Sequence, residues 1–257
     1  MFFKRRTTFS FLTAVLALAS FILMAWCLWS PYWVIAKTRL NEDRYNTSQP
    51  LKQFYGENRH DDSDPGTFQG FVIYGLFSGC KRFNHGFGGR PEECFSIFEE
   101  HKGIYPTGLV IVVIIFIFIG LLFSLIATVF GLVNTLAVPI ETIYGPVGLY
   151  LWNGLAAIPS IIALIVYLLV YFISMKSEVL SQADRDPPRN FFTEETNLGY
   201  GFFLLLAACV LLLINFIFVA LAQYSADPDA FKSKKKQDPN FNSGTARRDD
   251  VGSGMIY

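Results

Sequence analysis

Apolar residues run through this chain in four long blocks, and no charged side chain interrupts any of them. The blocks cover residues 7–36, 103–140, 142–175 and 196–226. A helix rises about 1.5 Å per residue, so about 20 apolar residues cross a hydrocarbon core of about 30 Å. Each block exceeds that length. From Val110 to Ile119 the second block is apolar on every face, whereas an amphipathic helix of a soluble protein keeps a polar stripe. The pattern predicts an all-α membrane protein with four spans, at residues 9–33, 105–133, 146–174 and 199–222. The first span has a cleaved leader as its alternative, with Lys4, Arg5 and Arg6 as a basic start and Ala25-Trp26-Cys27 as a cleavage site. Its apolar run, Phe9 to Leu28, is longer than a usual leader core. Trp26, Trp29, Tyr32 and Trp33 then follow as an interfacial aromatic belt would. A retained span is the favoured reading.

The spans divide the rest into a short tail (1–8), a long first connection (34–104), a short link (134–145), a second connection (175–198) and a C-terminal tail (223–257). The first connection is uneven. Residues 41–66 are polar, and Asp61-Asp62-Ser63-Asp64-Pro65-Gly66 has the composition of a turn-rich loop. Its acids invite a calcium site, but the Gly and distal Glu of an EF-hand loop are missing. Residues 67–79 are β-branched and aromatic with Gly punctuation, and Cys94 to Phe98 alternates; both read as strands. A small sheet on the outer ends of the helices is expected. Cys80 and Cys94 fall in this connection, while Cys27 and Cys209 lie in spans. In an oxidising compartment Cys80 and Cys94 are expected to pair, free thiols or a metal site being the alternatives.

Composition agrees with the pattern. Hydrophobic residues make up 52% of the 257 residues and charged ones 16%, against roughly a quarter charged in a soluble domain. Lys plus Arg and Asp plus Glu both number 21, so net charge draws the chain to no nucleic acid. Basic residues near short segments set orientation. They gather in the N-terminal tail and at Lys232, Lys234, Lys235 and Lys236, while the 134–145 link has only Glu141. A multi-pass plasma-membrane protein with both termini cytoplasmic is expected. The sequon Asn46-Thr47-Ser48 then lies outside the cell, where Asn46 can be glycosylated.

Candidate chemistry is sparse. The four blocks hold no Asp, Glu, Lys, Arg or His, and intramembrane charges are the usual mark of ion pathways and proton relays. Their polar members, Asn134, Asn153, Asn215, Ser124, Thr128 and Ser160, are expected to hydrogen-bond between helices, and Gly120, Ser124 and Thr128 to allow close packing. Pro159 is expected to bend the third span. No cofactor, metal or catalytic residue is expected, and the chain does not read as an enzyme. The lysines from Lys232 to Lys236 form a candidate patch for anionic lipid. Met255, Ile256 and Tyr257 form a candidate end for a PDZ domain, which adds a peptide as a strand. The tail is expected to be disordered.

Some of these residues carry a resemblance. Trp33, then Gly75-Leu76-Phe77-x-x-Cys80 and Cys94, resembles the signature of the claudin superfamily, with Phe77 where claudins usually have Trp. Within that superfamily, Tyr74-Gly75-Leu76-Phe77, the segment Gly145-Pro146-Val147-Gly148 opening the third span, and the end Met255-Ile256-Tyr257 are similar to the clarin family. The chain lacks the additional cysteine that some clarins carry after the first span, so the resemblance is to a divergent member. It implies a left-handed four-helix bundle topped by a short antiparallel sheet closed by the disulfide. It also implies a non-enzymatic organiser in sensory-cell membranes, supporting actin-rich projections, mechanotransduction assemblies or synapses. Lateral membrane proteins, scaffold or actin-linked proteins and a second copy are the implied partners. An auxiliary channel subunit or a junction and paracellular-pore protein are the alternatives.

Overall fold

A computed structural model of the chain describes residues 2–40, 69–84, 92–100, 106–136, 146–186 and 190–226. Asn46, the acidic stretch at Asp61–Asp64, Gly145, the lysines from Lys232 to Lys236 and the end Met255-Ile256-Tyr257 lie outside the described residues. The elements in order are α1 (Phe2–Trp29), β1 (Val34–Leu40), β2 (Gln69–Tyr74), β3 (Ser78–Phe83) and β4 (Glu93–Ser96). They continue with α2 (Ile97–Glu100), α3 (Thr107–Leu136), α4 (Pro146–Val170), α5 (Gln182–Arg185), β5 (Phe191–Leu198) and α6 (Tyr200–Ala226). Among the described residues, four helical stretches are long and apolar enough to cross a membrane: Thr7–Trp29, Thr107–Leu136, Gly148–Met175 and Tyr200–Leu221.

The helices form a closed ring. α1 packs on α3 and α6, and α4 packs on the other side of both. Small and polar side chains face inward. On α1 these are Ser10, Thr13, Ala14, Ala17 and Ser20, and on α3 Gly120, Ser124, Ala127, Thr128 and Gly131. Large apolar ones such as Phe11, Leu18, Phe118 and Leu122 face outward. That is the arrangement a bilayer selects, because lipid offers helices no hydrophobic reason to associate and close van der Waals approach replaces it. A Cβ on Gly131 would sit 2.9 Å from the Ala14 Cβ, so this crossing depends on glycine.

The inward polar groups bond across the ring. The Ser124 hydroxyl donates to the Ala17 carbonyl at 2.9 Å. The Asn215 amide donates to Asn153 Oδ1 at 2.7 Å and to the Thr13 carbonyl at 3.2 Å, tying α6 to α4 and α1. The Ser160 hydroxyl reaches both the Met24 sulfur of α1 at 3.2 Å and the Ala156 carbonyl of its own helix at 2.8 Å, whereas Thr128 and the Asn134 amide bond back into their own helix, to the Ser124 and Phe130 carbonyls. α4 continues through Pro159. It then widens into a single π-helical turn, Tyr171–Met175.

The five strands among the described residues make one antiparallel sheet in the order β4-β3-β2-β1-β5. Three differences from expectation have physical reasons. Residues 67–79 are not one strand; Gly75, Leu76 and Phe77 form the turn of a β2–β3 hairpin, closed by the Gly75 N–H on the Ser78 carbonyl at 2.9 Å. The second connection, in which no strand is read from the sequence, supplies β5, which pairs with β1 from Val34–Leu198 to Leu40–Phe191. The first helix stops at Trp29 instead of residue 33. Pro31 lacks an N–H and disfavours helical backbone at Ser30. The chain therefore turns, and Trp33 leaves the expected aromatic belt for the core.

Candidate functional site

The best-built region outside the bundle is the junction where the sheet sits on the helices; Trp33, Tyr74, Gly75, Leu76 and Phe77 converge there, while Pro146 and Gly148 lie at the opposite end of α4. Trp33 is fully buried. Its indole N–H donates to the Cys27 carbonyl at 2.8 Å, near the end of α1, where the same carbonyl also accepts from the Ser30 N–H at 3.2 Å. Its ring meets Tyr167 of α4 edge-on at 4.5 Å. Its backbone bonds both neighbouring strands: the Trp33 N–H donates to the Tyr74 carbonyl, and its carbonyl accepts from the Gly199 N–H, each at 2.8 Å. One residue thus joins α1, α4, the hairpin and the start of α6.

The hairpin turn docks against the end of α1. Leu76 is buried, and a Cβ on Gly75 would fall 2.9 Å from the Pro31 Cα and 3.0 Å from the Ser30 carbonyl, so only glycine allows the approach. Phe77 stays half-exposed, and its carbonyl accepts from the Ile97 N–H at 3.2 Å. Tyr74 points inward, and its hydroxyl donates to the Val179 carbonyl of the second connection at 2.6 Å. Cys80 and Cys94 lie directly opposite on β3 and β4 and are joined as a disulfide. Glu92 lies near both sulfurs, but that bond consumes the thiolates a zinc ion would use, so the trio does not fit a metal. Pro146 opens α4 and Gly148 is buried in its first turn; proline suits that place because its missing N–H is one the helix leaves unbonded anyway.

Several residues that sequence reasoning missed complete the junction. Lys81 points to the inward face of β3 and pairs with Asp184 of α5 at 3.3 Å, with side chains 7% and 2% exposed. The Ser181 hydroxyl donates to the same carboxylate oxygen at 2.6 Å, and the Lys81 ammonium lies 5.3 Å from the centre of the Phe95 ring. Phe83 and Phe191 stack at 4.7 Å beneath the sheet. A Cβ on Gly201 would meet Trp33 Cδ1 at 2.7 Å, so the start of α6 also depends on glycine. A visible signal for this existed in Gly199-Tyr200-Gly201, two glycines at the entry to a span. Nothing in the sequence joins Lys81 to Asp184, which lie 103 positions apart.

The outward face is chemically different. Lys37 and Glu195 form an exposed pair at 3.2 Å. The Asn197 amide, then Lys37, hold the Glu195 carboxyl below its ordinary range. Phe71 and Arg82 stand beside Lys37 in register across β2 and β3. This face exposes charge and aromatic surface, while the inward face is committed to holding the sheet in place.

Comparison with known proteins agrees with this architecture. A family model described as Clarin-2-like matches residues 3–219. Human Clarin-3 is 29% identical over 153 residues, 59% of this chain and 66% of that protein. Mouse Clarin-2 is 29% identical over 148 residues, 56% of this chain and 57% of that protein. Mouse Clarin-1 is 26% identical over 176 residues, 68% and 74% of the two. The chain thus spans less than two thirds of the length of the first two relatives. The family model covers most of the chain, and four spans, a disulfide-closed sheet and the buried Trp33 junction complete the picture: the chain belongs to the clarin family of four-span membrane proteins.

Proposed function

We propose that this protein is a non-enzymatic four-span adaptor that gathers other membrane proteins by lateral contact in sensory cells. There it supports actin-rich projections, mechanotransduction assemblies or synapses. The observation that carries the reading is the junction itself. Trp33 and the Gly75 turn fix the sheet to the bundle, the disulfide closes its β3–β4 edge and the Lys81–Asp184 pair ties it to the second connection, so the connections form a set platform beside a lipid-facing apolar surface. Such a platform suits recognition. The basic N-terminal tail and the lysines from Lys232 to Lys236 favour both termini in the cytoplasm of a plasma-membrane protein. A disulfide suits the opposite, oxidising side. Asn46 then carries a glycan, the basic patch touches anionic lipid, and Met255-Ile256-Tyr257 engages a PDZ-type scaffold.

The test has two arms. Cys80→Ser, which opens the sheet edge, is expected to reduce both surface delivery and co-isolation of membrane partners. Unchanged partners and delivery would show that the platform is not the working surface. Whole-cell recording with the protein alone and with candidate channels addresses the channel-subunit alternative. The adaptor reading expects unchanged currents in both, and altered gating would replace it.

A further inference from the structure

The flank of the bundle where α1 ends carries a recess of about 520 Å³. It exists because Ala25 is small and outward-facing while its neighbours are large. Phe21, Ala25 and Trp29 follow one another at four-residue spacing along one face of α1, and Trp26 and Tyr200 of α6 close the sides. Trp26 is 65% and Trp29 84% exposed, so both indoles project from the helix instead of packing on it. Tyr200 is held in place by Tyr32, whose ring lies 5.1 Å away. Ser30 and Pro31 close the sheet-side end. Ser30 is 4% exposed, and its hydroxyl oxygen accepts from the Tyr32 N–H at 3.2 Å.

The surroundings narrow the occupant. α1 is a span, so the recess opens sideways into lipid, and its closed end lies at headgroup level where α1 stops and β1 starts. A partner helix fits poorly, because helices in membranes approach through small residues and here two indoles and a tyrosine stand proud. A flexible acyl chain loses rotamer freedom when held, whereas a rigid ring system loses little. Flat aromatic walls, an apolar body and one polar end match a fused-ring alcohol, and the volume falls in the range of about 300–1,000 Å³ common for small-molecule sites. We propose that this recess is a sterol site, with the ring system between Trp26, Trp29 and Tyr200 and the sterol hydroxyl at Ser30.

The test uses the full chain in phosphatidylcholine nanodiscs with a photoreactive cholesterol analogue, followed by peptide mapping. Adducts are expected on residues 21–31 or Tyr200, and excess cholesterol should remove them. Ala25→Phe fills the recess from a lipid-facing position and is expected to lower labelling roughly tenfold, equal to about 1.4 kcal/mol of binding. Leu122→Phe, on the lipid face of α3, should leave it unchanged. Labelling spread over all lipid-facing helices, or indifferent to Ala25→Phe, would overturn the proposal. So would equal competition by an acyl-chain phospholipid probe, which would assign the recess to ordinary lipid.

Discussion

Replacing Asp184 by Asn keeps the size of the side chain and removes its charge, leaving the Lys81 ammonium in a site only 7% exposed. At an effective dielectric of about 20, unit charges at the observed separation attract by about 5 kcal/mol. Several kcal/mol of desolvation per ion stand against that. The pair therefore adds little net stability, but losing one half is costly: roughly 3–5 kcal/mol when a buried partner is removed. The Phe95 ring near the ammonium offsets part of the loss. In a chain of this size each kcal/mol moves a melting midpoint by roughly 2–4 °C, so Asp184→Asn is expected to lower the midpoint by about 6–20 °C. Thermal unfolding of the purified protein in detergent, followed by tryptophan fluorescence, measures it. Lys81→Met combined with Asp184→Leu should recover most of the loss, because apolar groups of similar volume replace a buried pair at little cost. Single variants that melt within about 2 °C of the parent, or a double variant that loses the sum of both, would refute a buried and coupled pair.

Other expectations follow from the same contacts. Gly201→Ala should destabilise by about 1–3 kcal/mol through overpacking on Trp33, while Gly108→Ala, which meets nothing within 4 Å, should melt like the parent. Cys80→Ser releases a loop closed across 14 positions, so a loss of about 3 kcal/mol is expected, read as faster trypsin cleavage between the first two spans. Asn215→Leu cuts the bonds to Asn153 and Thr13 and should cost about 0.6–1.7 kcal/mol, measured by unfolding in micelles. Epitope tags at either end should stain only in permeabilised cells; staining of intact cells would reverse the proposed orientation.

The helices were legible because a span announces itself by what it lacks, and four charge-free blocks left little choice. The disulfide was legible because Cys80 and Cys94 are the two cysteines outside the blocks. The sheet was only half legible. β1 alternates, with Ala36, Thr38 and Leu40 inward and Lys37 and Arg39 outward, but its first three residues, Val34 to Ala36, continue the charge-free block of the first span and so did not read as a strand. β3 hid because its inward position holds Lys81, a residue that pattern rules place in water until a distant Asp184 explains it. β5 lacks alternation, and on its side away from β1 it meets the earlier part of the same connection, where the Val179 N–H donates to the Thr193 hydroxyl. Trp33 read as an interfacial anchor, since nothing short of the fold shows that Pro31 turns it inward.

The central claim is that the platform and its bundle work by gathering other membrane proteins, and cross-linking in native membranes followed by isolation of the full chain tests it most directly. Recovery of other integral membrane proteins, reduced for Cys80→Ser and reduced in a different subset when the last four residues are removed, is the expected result. Recovery of this chain alone, unchanged by either alteration, would contradict the adaptor reading and leave self-assembly in its place.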